Sequence, residues 1–298
     1  MTSVRPFGAR YAYVVVGVIF LALMVSAGLR SAPGVLMLPI ERAMGWDRAT
    51  VSLAAATGIL LYGLTGPFAA ALMTSFSLRK TVTLAFVLMS VSTGLSSFMT
   101  QPWHYVLTWG LMSGVGTGAV ASVLAATVAN RWFVERRGLV MGLLTASTAT
   151  GSLLFLPGMA ALAERGGWQP IVLTVSVATA CLAPLVWFLV PERPDSIGLK
   201  PYGAPDDFQP PAQMPAGGAL AYAFGVLGRA ARTRTFWLLF GGFFICGLTT
   251  NGLVGTHLIA LCSDQGLPET RAASLLAIMG LFDLIGTTLA GWLTDRYD

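Results

Sequence analysis

Long apolar runs separated by short polar turns dominate the chain. They cover about 11–38, 49–76, 80–100, 103–129, 138–163, 168–190, 235–261 and 272–294. Each reaches the ~20 mostly apolar residues that a helix needs to cross a ~30 Å hydrocarbon layer. Backbone groups in hydrocarbon must satisfy their own hydrogen bonds, so each run predicts a spanning helix. The pattern predicts an all-α integral membrane protein with eight transmembrane helices.

The longest polar interruption runs from Pro191 to about Arg234. Its segment PERPDSIGLKPYGAPDDFQPPAQMPAGG is too rich in proline and glycine for a helix interior. It predicts an extended cytoplasmic linker (191–234) between an N-terminal six-helix bundle (1–190) and the first two helices of an incomplete C-terminal bundle (235–298). Within it, ALAYAFGVLGRAARTRTFW predicts a short amphipathic helix on the membrane surface, arginines toward the headgroups. The last two helices repeat the first two: GWDRATVSLAAA at 45–56 is similar to GLPETRAASLLAI at 266–278. With that offset of 221 positions, Gly34 falls on Gly255 and Arg30 on Asn251. Internal repeats of this kind mark many transporters, with the site between the copies.

Composition excludes a soluble fold. The 298 residues are 55% hydrophobic and 10% charged, against about 25% charged in soluble domains. Of 18 Lys and Arg, thirteen fall at the termini and in the even-to-odd turns, four in the other turns, and Arg30 lies inside a span. By the positive-inside rule both termini of this chain are expected in the cytoplasm, with the chain multi-pass in the plasma membrane, the inner membrane in a bacterium. The net charge of +5 then reflects topology, and no nucleic-acid partner is expected. Helix 1 is too long for a signal-peptide core and is expected to be retained. Cys181, Cys246 and Cys262 show no metal-ligand spacing, and no cofactor, metal or nucleophile–base pair is expected. GLMSGVGTGAVAS (110–122) lies inside a span, where small residues let helices approach closely; it is no phosphate loop.

Arg30 is the only Lys, Arg, Asp, Glu or His between Tyr11 and Ile40. An arginine at mid-membrane depth costs roughly 2.5–3.5 kcal/mol on insertion scales. A structural reading has it snorkel over ~12 Å to the interface or tie two helices through a carboxylate. The functional reading is a desolvated guanidinium that grips a substrate carboxylate through its fork, with Pro33 and Gly34 loosening the helix beyond it. Asp283, near the middle of the 272–294 run, is the only acid inside any span. Embedded carboxylates serve ion and proton pathways. A substrate anion competing with Asp283 for Arg30 would promote its protonation and couple the two; a static Arg30–Asp283 bridge is the alternative. His257, near the outer end of helix 7, is a second candidate for proton coupling, and Asn251 and Tyr62 are candidates to line the substrate cavity.

At these residues a family resemblance adds to the physics. GWLTDRYD (291–298) resembles the Gly-x-x-x-Asp-Arg turn of the major facilitator superfamily, which implies a cytoplasmic gate built from Asp295, Arg296, Arg79, Lys80, Arg131, Arg136 and Arg137. The first-half equivalent departs, with Thr74 in place of the acid and Ser77 in place of a turn glycine. GLRSAPGVLMLPIE (28–41), ANRWFVERRGLVMGLL (129–144), RGGWQP (165–170), RPDSIGLKPYG (193–203) and FDLIGTTLAGWLTDRYD (282–298) resemble, in order, segments of the monocarboxylate-transporter and oxalate–formate-exchanger branch. The resemblance implies Arg30 as the substrate-facing cation and Asp283 as the embedded acid; Thr287 stands where some relatives carry a second cation. Twelve helices are the rule in that family, so four are expected beyond Asp298, and the chain is expected to be a partial sequence.

Together these readings predict a secondary active transporter of small organic anions, monocarboxylates foremost, working by alternating access with proton symport. The alternatives are an anion exchanger of the same fold and a membrane sensor that binds a ligand without moving it.

Overall fold

The computed structural model describes residues 6–205, 219–294 and 296. Among them every regular element is helical, apart from one isolated bridge between Phe133 and Tyr202. The helices are α1 (Pro6–Met44), α2 (Arg48–Leu72), α3 (Leu78–Ser96), α4 (Pro102–Trp132, interrupted near Val120), α5 (Arg137–Gly166), α6 (Trp168–Leu189), α7 (Ala219–Ala230), α8 (Arg234–Asp264) and α9 (Glu269–Thr294).

Seven helical runs are long and apolar enough to span a bilayer, and one of them, Arg48–Ser96, is 49 residues long. At 1.5 Å per residue it would measure ~73 Å, more than twice the hydrocarbon thickness. Ser77, with φ 178° and ψ 131°, ends it in extended backbone and starts α3 as its N-cap. Packing gives the directions. A β-carbon on Gly114 would sit 2.8 Å from the Gly58 carbonyl and one on Gly118 2.7 Å from that of Tyr62, so α2 and α4 run parallel. In α3, the earlier Ala85 and Met89 meet Gly116, while the later Ser96 bonds Trp109, so α3 runs opposite to α4. The 49-residue run is therefore two crossings, which makes eight. The glycines of α4 act as the close-packing surface expected of them.

Helix α1 is the buried centre. Val15, Ile19, Ala22, Ala32, Val35, Leu36 and Ile40 are inaccessible, and α5 and α6 flank it. Pro33 does not break it: α1 runs unbroken through Pro33 and Pro39, because a proline removes one backbone bond but neighbouring helices hold the turn in place. Two turn glycines at repeat positions, Gly45 (φ 68°) and Gly266 (φ 82°), adopt the left-handed conformation that favours glycine. The two turns that the offset aligns thus share one backbone conformation.

The start of the linker docks on the turn between α4 and α5: Tyr202 N donates to the Trp132 carbonyl at 2.7 Å, and Val134 N donates to the Tyr202 carbonyl at 2.8 Å. The Tyr202 ring packs against Tyr13 and Phe133, centroids 5.7 Å apart in both cases. Residues 206–218 of the linker lie outside the described residues. The expected amphipathic helix is α7, seated on α2 by an edge-on Phe224–Phe68 contact at 5.2 Å.

Candidate functional site

Arg30, Tyr62 and Asn251, on three different helices, line one cavity of about 200 Å³ between α1, α2, α4 and α8. The Arg30 guanidinium carbon lies 4.7 Å from the centre of the Tyr62 ring. Among the described residues no carboxylate lies within salt-bridge distance of Arg30. Ser113 and Thr117 also face the cavity, but their hydroxyls donate to the carbonyls of Trp109 and Ser113 on their own helix. The polar groups that the cavity offers a ligand include the guanidinium of Arg30, the phenol of Tyr62 and the amide of Asn251, against walls that include Trp109 and Ile59.

The local backbone explains how two of these residues reach the cavity. Trp109 sits in a π-helical segment, Val106–Met112, and Asn251 in another, Gly247–Val254. Such widened turns rotate side chains off the regular helical face and recur at functional sites. The Thr256 hydroxyl donates to the backbone carbonyl of Asn251 at 3.0 Å. Just beyond Arg30, Gly34 touches its repeat mate: a β-carbon there would lie 2.6 Å from the Gly255 carbonyl oxygen.

The end of the bundle that carries Arg79, Arg131 and Arg136 is stapled through a residue the sequence reading passed over. The Glu192 carboxylate accepts from Ser77 Oγ (2.7 Å), Leu78 N (2.8 Å), Arg79 N (3.3 Å) and Arg131 (2.8 Å). Arg131 also donates to the Met73 carbonyl at 2.7 Å. Burial pushes the Glu192 carboxyl upward, but the bonds from Leu78, Ser77, Arg131 and Arg79 outweigh it and hold it below the usual carboxylate range. The one available signal was positional: Glu192 is the first acid after helix 6, opposite the basic turns.

A family profile described as Major Facilitator Superfamily matches residues 10–298. The chain belongs to the major facilitator superfamily. Within it, this facilitator is 29% identical over 282 residues to monocarboxylate transporter 13 of Bos taurus, covering 95% of this chain and 61% of that protein. It is 28% identical to monocarboxylate transporter 11 of Mus musculus, with 98% and 61% covered, and 26% identical to the uncharacterized MFS-type transporter YcxA of Bacillus subtilis, with 87% and 59% covered. The chain thus spans about 60% of the length of these relatives. In fold it is similar to the proton:xylose symporter XylE bound to 6-bromo-6-deoxy-D-glucose, with a TM-score of 0.68 at 15% identity over 97% of this chain and 70% of that one. Membership in this superfamily sets an enzymatic reading aside.

The other candidate residues of the facilitator lie apart from the cavity. Asp283 is exposed on α9, without a cation in salt-bridge range among the described residues, and its backbone carbonyl accepts from Thr287 at 2.7 Å. His257 is half-buried on α8, next to Thr256 in the cavity wall but not itself lining it. Of the gate candidates, Arg79 lies over the Trp187 ring at 4.6 Å, Lys80 over Phe76 at 5.2 Å and Arg296 over Trp292 at 5.2 Å. Arg137 donates to the Phe133 carbonyl at 2.6 Å, and Arg136 caps α5 in the left-handed region at φ 58°. Asp295 lies outside the described residues.

Proposed function

We propose that this facilitator carries small organic anions, monocarboxylates foremost, across the plasma membrane by alternating access, with proton symport and both termini of this chain in the cytoplasm. One observation carries the reading: a half-buried guanidinium inside an apolar span, facing a small cavity, with an aromatic ring as its neighbour and no carboxylate in salt-bridge range among the described residues. A cation held within a membrane span without a counter-ion is costly, and a carboxylate brought by the substrate offsets that cost through paired N–H···O bonds. The small size of the cavity, about 200 Å³, favours a compact acid over a bulkier solute. Two relatives named as monocarboxylate transporters support the same reading. For the coupling, Asp283, on α9, is the acid within the spans that sequence singles out, and His257 stands near the C-terminal end of α8.

The test is uptake of labelled small monocarboxylic acids into proteoliposomes under an inward proton gradient. Arg30→Gln keeps most of the side-chain volume and removes the charge; uptake is expected to fall at least tenfold, the loss of about one charge-assisted bond. Uptake at the parental rate and affinity by Arg30→Gln would overturn the proposal. Binding without accumulation by the parent protein would point to a sensor.

A further inference from the structure

Three of the four salt bridges among the described residues lie at the end of the bundle away from Arg131. Arg48, the first residue of α2, holds Asp264 at the end of α8 through two bonds of 2.6 and 2.8 Å, and its Nε donates to Glu41 at 2.9 Å. Glu269, the first residue of α9, holds Arg42 near the end of α1 at 2.8 Å. The repeat offset that aligns Gly34 with Gly255 also aligns Arg48 with Glu269. Each copy's second helix therefore reaches from its first residue to the end of the other copy's first helix, and the charges of the two arms are reversed. Below the arms, the Gly34–Gly255 contact closes the gap between α1 and α8 at backbone distance. Along α1, Gly34 lies ~6 Å above Arg30 and Arg42 ~18 Å above it.

We propose that Arg48–Asp264 and Arg42–Glu269 form a two-armed latch that seals this end of the Arg30 cavity and sets which side the cavity faces. The inference rests on the reading that the cavity opens alternately to the two sides. These four residues position the halves and do not touch the transported solute. The chemistry suits a reversible closure. The Arg48–Asp264 fork is directional, yet its side chains remain 40% and 46% exposed, so water competes for them and the arm is weak enough to part. Glu269 is more enclosed, its side chain 10% exposed against 63% for Arg42. The apposed glycines let the helices meet so closely that the arms can span the gap.

A thiol on the cavity wall reads the latch directly. Ser113→Cys is built on a background with Cys181, Cys246 and Cys262 replaced by serine, and a membrane-impermeant maleimide is applied to proteoliposomes from the side bearing Arg48. Slow labelling is expected with the latch intact, and labelling about two- to fivefold faster in Asp264→Asn or Glu269→Gln, the scale of one exposed ion pair. The exchange Arg48→Asp with Asp264→Arg, made together with Glu41→Gln so that the new carboxylate does not face a second one, is expected to restore slow labelling, which a merely structural role for either side chain would not produce. Equal labelling rates in parent and single variants overturn the latch, as does a stably folded exchange variant that still labels fast. Labelling needs no transport, so uptake on the same vesicles separates the two claims. Latch-dependent labelling without uptake removes the transport reading and leaves the latch; uptake without latch-dependent labelling removes the latch alone.

Discussion

The guanidinium carbon of Arg30 stands 4.7 Å from the centre of the Tyr62 ring, a cation seated on an aromatic face. The ring stabilises the charge through its quadrupole without occupying the N–H fork. The fork thus stays available to a carboxylate while the cation is held in one place. Tyr62→Phe keeps the face and is expected to leave anion affinity within about threefold. Tyr62→Leu removes it and is expected to weaken binding about five- to thirtyfold, corresponding to ~1–2 kcal/mol for a half-buried cation–π pair. Titration of purified protein with a small monocarboxylate checks both.

Gly34 has no room for a side chain, since the Gly255 carbonyl oxygen would lie 2.6 Å from its β-carbon. Gly34→Ala must push α8 off α1 and is expected to cost about 1–3 kcal/mol, the usual scale of overpacking. Gly17, on the same helix, has nothing within 4 Å of its β-carbon position, so Gly17→Ala is expected to be neutral or to stabilise by up to ~1 kcal/mol. Thermal unfolding of the two variants in one detergent gives the comparison; equal losses would show that the contact is not tight.

Glu192 caps α3 and anchors Arg131, and its carboxyl is held below the usual range in the folded state. A group whose folded value is depressed contributes stability that is present above its unfolded value, about 4.3, and is lost as pH falls through the lower folded value. The parent is therefore expected to lose thermal stability steeply below about pH 4.3, while Glu192→Gln starts less stable and shows a flatter acid limb. Parallel melting profiles across that window would count against the staple.

Asp283→Asn tests the coupling. If Asp283 carries the proton, proton-driven accumulation is expected to fall at least tenfold, whereas exchange of internal for external anion, which needs no net proton movement, persists. Accumulation that survives intact moves the proton to another group, with His257 next in line.

Much of this protein is legible in its sequence. The eight apolar runs match the eight crossings to within a few residues at most ends, and the one that hides a reversal, Arg48–Ser96, turns at the Ser77 already noted as a departure from the family turn. Arg30 announces itself as a lone charge in an apolar run, and Asn251 follows from the repeat. Tyr62 carried no strong signal of its own; a tyrosine in a membrane helix is ordinarily a packed aromatic. Trp109 was missed because its approach to the cavity depends on a π-helical turn that no residue pattern marks. Glu192 and the Arg48–Asp264 arm were missed for another reason. Each pairs with a residue far away in the chain, 61 and 216 positions respectively.

Transfer of an apolar segment into lipid is a property of that segment alone, since a helix satisfies its own backbone bonds wherever its neighbours lie. That is why the sequence by itself determined the number, extent and repeat relationship of the spans, and the presence of an embedded cation. A cavity, an aromatic seat for a guanidinium or an ion-paired latch is a property of two or more distant segments and of the directions in which their side chains point. Only the packing of α1 against α2, α4 and α8 decided that Arg30 meets Tyr62 and shares a cavity with Asn251, with no carboxylate in salt-bridge range among the described residues, and that Arg48 and Glu269 reach across the repeat with opposite charge.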